Sequence, residues 1–467
     1  MSENRARGVD IQTRVETDSL GDVHVPVDAL WGAQTQRAID NFPVSGQPMP
    51  PAFISAVARV KQAAAEANAS LGLLDNSRCD AITDACRALI RGEFADQFPI
   101  DRYQTGSGTS TNMNVNEVIS AIAASKGVEV HPNDHVNMSQ SSNDVIPTAI
   151  HVSSVIGVTE RLIPALTHLR GVIYEREALF STQVKTGRTH LMDAMPITLG
   201  QELRTWREQI LAVERRLEAA IAELLAVPQG GTAVGTGVNA LPEFAGQFVK
   251  LLKANTGYSF RSMEHKFVGL SSVDGPVALS AQLRGLGIVL TKIANDLRWM
   301  NSGPIHGLAE INLPALQPGS SIMPGKVNPV VPESVAMVGA QVMGLDSANA
   351  IAGQSGNFQL NVMLPLIAGN LLDMIGLLGN AASMLADKAI RGFTVNTETL
   401  DASVGRNPVL VTALNPEIGY SLASDIAKEA YKTGRPVIDV AEERSGLSRE
   451  RLEELMDPLK LTQGGGT

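Results

Sequence analysis

Leu279-Ser-Ala-Gln-Leu-Arg-Gly-Leu-Gly-Ile-Val-Leu-Thr-Lys-Ile-Ala-Asn-Asp-Leu-Arg-Trp-Met300 places Leu279, Leu283, Leu286, Leu290, Ile293, Leu297 and Met300 at alternating intervals of four and three. That spacing keeps one apolar stripe on one side of an α-helix. The segment reads as a long helix packed lengthwise against others, with coiled-coil-like crossing. Leu199, Leu203, Trp206, Ile210, Val213, Leu217, Ile221 and Leu224 follow a similar pattern. The segments around 147–181 and 330–390 also read as long helices, the second interrupted near Gly353–Gly356. A rod of four or five such helices has too little interior to bury stripes this wide. Association with further copies of the chain is the natural remedy.

Outward from these helices the character changes. Before Ser141 the chain is mixed, with strand-like stretches at Arg14–Glu16 and Val23–Val27 and helices near 51–70 and 76–91. After Asn396 it is helical again, but shorter in period and more charged. It closes on Gln463-Gly-Gly-Gly-Thr467, a tail expected to be disordered. The expected division is an N-terminal mixed domain over 1–141, a central helical bundle over 142–396 and a small helical domain over 397–467. No internal repeat or low-complexity segment interrupts this order.

Composition agrees with a packed-helix protein. Of 467 residues 44% are hydrophobic but only 4% aromatic, so the core must be aliphatic and rich in alanine. A formal charge of −10 and the lack of a basic run argue against nucleic acid. An acidic protein that binds an anion must gather positive potential locally, from a few lysines and helix termini. Cys79 and Cys86 lie seven apart on an expected helix, roughly 10 Å along its axis, too far to bridge. With no basic-plus-apolar signal peptide, a cytoplasmic protein is expected. The longest apolar run, Val362–Leu378, is broken by Pro365, Asn370 and Asp373, so no membrane partner is expected.

Gly319-Ser-Ser-Ile-Met-Pro-Gly-Lys-Val-Asn-Pro329 is the chemically densest loop. Two glycines and two prolines in so short a run exclude an element interior. It holds the hydroxyls of Ser320 and Ser321, the ammonium of Lys326 and the amide of Asn328. Asn328 followed by Pro329 reads as an N-cap and first helical position, and Pro332 fits the first turn. A helix start beside a lysine is an anion site. A nucleotide P-loop is excluded, because five residues separate the glycines and Val327 follows the lysine.

This run resembles the Gly-Ser-Ser-x-Met-Pro-x-Lys-x-Asn-Pro loop of the fumarase/aspartase superfamily of lyases. The likeness extends from Val23–Gly46, with its Val-Pro-Val-Asp-Ala-Leu-Trp-Gly-Ala-Gln-Thr-Gln-Arg run, to Asn415–Tyr420, and looks most like the class II fumarases. It implies a mainly α, fumarase/aspartase-like fold whose central long-helix bundle forms a homotetrameric core, flanked by smaller N- and C-terminal domains. It also implies reversible hydration of fumarate to (S)-malate in the tricarboxylic acid cycle, with no metal or organic cofactor. The active sites would be shared between subunits.

Further constellations take their expected roles from the same resemblance. Thr105-Gly-Ser-Gly-Thr-Ser-Thr-Asn-Met-Asn-Val-Asn-Glu117 clusters hydroxyls, amides and glycines ahead of a helix, a nest for a carboxylate. Within it Ser107, Gly108, Thr109 and Asn112 match substrate-binding residues. Ser139-Gln-Ser-Ser-Asn-Asp144 reads as a capping cluster before a long helix at Pro147, and Ser141, Ser142 and Asn143 match substrate contacts. In Gly187-Arg-Thr-His-Leu-Met-Asp-Ala-Met-Pro196, Thr189 is expected to bind substrate and His190 to be catalytic. Fumarases carry His at this place, whereas the ammonia-releasing aspartases carry Gln. Met192 and Met195 depart from the commoner Gln and Thr of fumarases. Gly231-Thr-Ala-Val-Gly-Thr-Gly-Val-Asn239 lacks the Gly-x-Gly-x-x-Gly order of a dinucleotide site and is expected to line the pocket. The proline after His131 spoils a helical zinc pair with His135. His131, Pro132, Asn133 and Asp134 instead match a second anion site.

Hydration of fumarate, run in reverse, removes a proton from carbon beside a carboxylate and loads a second charge onto that carboxylate. The resemblance assigns proton abstraction to Ser320, as an alkoxide favoured by the loop dipoles and Lys326. Lys326, Val327, Asn328 and Ser321 would hold the dianion. His190 would handle the water or leaving hydroxyl, oriented by Glu333. The alternatives are aspartase or another succinyl-compound lyase of the superfamily, and a non-catalytic protein of the same fold.

Overall fold

The computed structural model describes residues 12–464. Of the tail expected to be disordered, the part from Gly465 onward lies outside them. The chain divides into two compact units. One comprises the described residues up to Ile163 together with Arg215–Gly285 and Gln341–Leu378. The other comprises Pro164–Glu214, Leu286–Ala340 and the described residues from Gly379. Every crossing of the chain between them falls inside a long helix.

The first unit opens on an antiparallel hairpin, Thr13–Asp18 with Gly21–Pro26, where two strand-like stretches were expected. Helix Pro51–Ser70 starts with proline in its first turn and buries a run of alanines, so its neighbours approach closely. It packs against Asn76–Ile90, Phe244–Thr256 and the N-terminal part of Ser142–Leu179. Cys79 and Cys86 are both buried and unpaired on Asn76–Ile90. Helix Thr109–Ser125 lends its Glu117 to a second helix. That carboxylate accepts N–H bonds from Gly32, Gln34 and Thr35, capping Ala33–Asn41, whose own N-cap Gly32 has no side chain.

The helix expected to begin at Pro147 begins five residues earlier, at Ser142. Ser141 and Asp144 close a capping box, which starts a helix more effectively than proline ends one. Pro147 therefore sits inside the helix at its sixth position, past the first turn, where its missing N–H gives up one bond of the helical ladder.

The second unit contains a β-hairpin that the sequence reading passed over, Val184–Thr189 paired with Met192–Thr198, and Thr397–Arg406 packs against it. Its C-terminal end holds a small core of its own, built from Leu410, Leu414, Ile426, Val440, Leu452 and their neighbours on short helices.

Both expected stripes are buried within the single chain, contrary to the expectation that they would need further copies of the chain to cover them. Leu279 to Met300 are in the core along the whole of helix Asp274–Met300, as are Leu199 to Leu224 along Leu199–Leu224, except that Ile221 is half-buried. The expected break near Gly353–Gly356 separates Val330–Gln354 from Leu364–Ile390. Among the described residues, four helices are long and apolar enough to cross a membrane by length and composition alone, among them Leu364–Ile390, which contains all but the first two residues of the run Val362–Leu378. In that helix 67% of the apolar window is buried within the chain, but in Val330–Gln354 only 33%. Met337 and Ile351 of the latter are 67% and 60% exposed.

Candidate active site

In the second unit the loop 319–329 is pinched shut at its base. Gly319 N donates to Lys326 O at 2.8 Å, and a Cβ on Gly319 would lie 2.4 Å from that oxygen, so only glycine fits. The Asn328 side chain does not cap the following helix as expected. It donates back to Gly319 O at 2.7 Å, and the helix starts at Val330, with Glu333 N bonded to Pro329 O. Closing the loop is the stronger use of that amide, since it satisfies a carbonyl beside Ser320.

Within the closed loop, Ser320 Oγ accepts N–H bonds from Ile322 at 3.2 Å and Met323 at 3.1 Å. Two donors aimed at one hydroxyl oxygen favour its negatively charged form, which is what a serine base requires. Ser321 and Lys326 are exposed beside it. Lys326, Val327, Asn328 and Glu333 line one cavity of about 960 Å³, together with Arg298 and Asn312. Arg298 adds a cation that the sequence reading missed; its place in the last turn of a striped helix gave no local signal.

The expected catalytic His190 sits at the tip of the hairpin. His190 and Leu191 have φ of 55° and 61°, the pair of left-handed residues that a two-residue type I′ turn requires. Asn or Gly usually fills such places, so a His there is an unrelieved strain of the kind that marks functional positions. The strands below are anchored by a buried ion network. Arg188 makes a bidentate pair with Glu310 at 2.7 and 2.8 Å, and Lys185 reaches Glu310 at 2.7 Å and Glu202 at 2.6 Å. The Arg188 pairing holds Glu310 below the usual carboxylate range against the effect of burial. Thr189 pairs with Met192 across the turn; Met192 is exposed and Met195 half-buried. Among the described residues, no hydrogen bond or ion pair joins His190 to Glu333.

The first unit gathers the other candidates. Gly108 ends the Thr105–Gly108 turn at φ 72°, and Ser107, Thr109 and Ser142 form a chain of hydroxyls with O···O separations of 2.8 Å. The helix begins at Thr109, so Asn112 lies on a helical turn, not in a loop, and it is buried. Asn143 donates to Ala233 O at 2.8 Å. Asp144 accepts from Ser141, Gly230 and Thr232 N–H groups and thereby ties the glycine-rich 230–239 turn to this cluster. Burial pushes the Asp144 carboxyl up to about 6 in spite of those three donors.

His131, Pro132, Asn133 and Asp134 form a turn of their own, with Asp134 N donating to His131 Nδ1 at 3.1 Å and His135 Nδ1 accepting from His131 N at 2.8 Å. Nδ1 of each histidine is thus taken up by a local backbone bond, and no cluster of metal ligands occurs among the described residues.

Known proteins resemble the chain over nearly its whole length. Residues 21–344 match a family described as lyase, and residues 410–463 one described as the fumarase C C-terminus. The chain is 56% identical to fumarate hydratase class II 2 of Pseudomonas aeruginosa, over 97% of this chain and 99% of that one. It is 57% identical to the class II fumarate hydratase of Xylella fastidiosa strain Temecula1, over 97% and 96%. The crystal structure of recombinant class II fumarase from Schistosoma mansoni superposes with a TM-score of 0.94 at 37% identity, covering 97% of this chain and 99% of that one.

Proposed function

Because the chain belongs to the class II fumarases of the fumarase/aspartase lyase superfamily, we propose that it catalyses the reversible hydration of fumarate to (S)-malate. The observation that carries this is the Ser320 hydroxyl held under two backbone N–H groups in a loop that also bears Lys326 and Asn328.

In the malate-to-fumarate direction, Ser320 as alkoxide takes the proton from the carbon next to a carboxylate. Charge flows onto that carboxylate, where the Lys326 ammonium, Asn328 and the positive dipole end of helix Val330–Gln354 meet it. His190 gives a proton to the departing hydroxyl and, in the other direction, takes one from attacking water, with Glu333 orienting its ring. Ser107, Gly108, Thr109, Asn112, Ser141, Ser142, Asn143, Thr189, Ser321 and Val327 bind the dicarboxylate. The His131–Asp134 turn is the candidate for a second anion site.

The same reading makes the enzyme a homotetramer with active sites built from several chains. Two features support it: the large exposed apolar surface of Val330–Gln354, which a partner helix would cover, and the lack, among the described residues, of a hydrogen bond or ion pair between His190 and Glu333 within one chain. A cytoplasmic location fits the two buried, unpaired thiols. Purified protein offered malate, fumarate and aspartate in parallel tests the assignment. Turnover of malate and fumarate is expected, and ammonia release from aspartate alone would replace it with the aspartase alternative.

A further inference from the structure

Lys61 is 0% exposed in the middle of helix Pro51–Ser70. Its ammonium is held by two amide oxygens, Asn137 Oδ1 at 2.8 Å and Gln140 Oε1 at 3.1 Å. Among the described residues it forms no ion pair. A buried cation without a carboxylate partner is costly, and packing alone would be served better by methionine or leucine. Burial pulls Lys61 down to about 7, although the Asp144 carboxylate opposes this.

What the ammonium touches gives it a use. An ammonium donates and cannot accept, so it decides which end of the Asn137 amide faces it. Asn137 Oδ1 in turn accepts from Asn112 Nδ2 at 3.2 Å and Asn116 Nδ2 at 3.4 Å. The orientation of Asn112 is thereby fixed two bonds away, leaving its Oδ1 as a buried acceptor without a protein partner. Gln140, the second contact, donates to the carbonyls of Val136 and Met138 and locks the turn that leads into the Ser141 cap. Two helical turns along, on the same face as Lys61, Asn68 bonds Met138 O and Ser139 Oγ. Ser139 needs this hold, because its φ is 60°.

We propose that Lys61 is a positioning residue for the dicarboxylate site, orienting Asn112 through Asn137 and the Ser141–Asn143 turn through Gln140. The inference rests on the hydratase reading above. It treats the lysine as an internal post, not as a group that meets substrate.

Lys61→Met keeps the length of the side chain and removes its charge and donors. The melting temperature should hold or rise, since the desolvated charge is gone. KM for malate and fumarate should rise ~10- to 100-fold, the worth of a charge-assisted hydrogen bond, while kcat changes far less. Asn137→Ala should raise KM in the same way. The double variant should be no worse than the worse single one, because both break one chain of bonds. KM unchanged in Lys61→Met, or effects of the two substitutions that simply multiply, would overturn the proposal. Should Lys61→Met fail to fold, Asn137→Ala decides: KM raised at unchanged melting temperature supports the positioning role, and KM unchanged removes it. Wild-type turnover measured alongside separates the two readings. Its absence removes the hydratase assignment and this inference together, whereas turnover with unaltered KM in the variants removes this inference alone.

Discussion

Met323 N donates to Ser320 Oγ at 3.1 Å across a loop that Gly319 and Lys326 close at its base, and Ile322 N joins it at 3.2 Å. A serine hydroxyl that receives two main-chain donors is set up to carry negative charge before any substrate arrives. Ser320→Ala should therefore lower kcat by ~10²- to 10⁴-fold, the usual contribution of a proton-transfer group. The fold and assembly should be retained, because the closure of the loop runs through Gly319, Lys326 and Asn328. A variant that kept more than a tenth of wild-type activity would take the base assignment away from Ser320. Ser321→Ala should cost less.

His190→Asn sets stability against activity. Asparagine tolerates the left-handed backbone better than histidine does, so the hairpin should gain up to about 1 kcal/mol while turnover falls. Thermal denaturation and steady-state kinetics on the same sample check both halves. A slower variant that is also clearly less stable would mean that the ring packs structurally. Glu333→Gln should slow turnover more mildly.

The proposed sharing of active sites between chains predicts complementation. Ser320→Ala and His190→Asn proteins, each nearly inactive, are unfolded together and refolded as a mixture. Activity should return above that of either parent refolded alone, in proportion to the sites that draw both wild-type groups from different chains. Mixed tetramers confirmed by light scattering but showing no recovery would place the two residues on one chain.

His151 is buried, with Nδ1 3.0 Å from Leu224 O, and burial brings it down to about 4 from its ordinary 6.5. Between those values the unfolded chain binds the proton and the folded chain does not, so this residue makes stability fall as pH falls. The loss is ~1.4 kcal/mol per pH unit at most, about 3 kcal/mol by pH 4. Asp144, raised to about 6, works in the opposite direction over much of that window, so the wild-type curve alone is not diagnostic. His151→Gln should flatten the acid limb by close to one proton relative to wild type in denaturant titrations at fixed protein concentration. Parallel curves for the two proteins would show that His151 is protonated normally.

The long helices were legible because their stripes repeat over several turns, and each stripe residue reports on the same buried face. The loop at Ser320 was legible because glycine and proline fix its boundaries whatever surrounds it. The His190 hairpin was not, since His and Leu are poor signals for a turn whose backbone they adopt only under the hold of Arg188, Lys185 and Glu310, well over a hundred residues apart in part. The early start at Ser142 was hidden by Pro147, which a local rule reads as a beginning. Lys61 was invisible for a simpler reason: its partners stand 76 and 79 positions away, and nothing around a lysine in an alanine-rich helix announces that it is buried.

Neither compact unit is a continuous piece of chain: the first needs segments that end as late as Leu378, and the second begins with Pro164 and finishes at the C-terminus. During synthesis, then, no self-sufficient part exists until four-fifths of the protein has left the ribosome. A gene cut at any point between Pro164 and Leu378 would encode two fragments that each lack pieces of both units. A single crossover between related genes anywhere from Pro164 to Leu378 would therefore assemble both units from pieces of two parents.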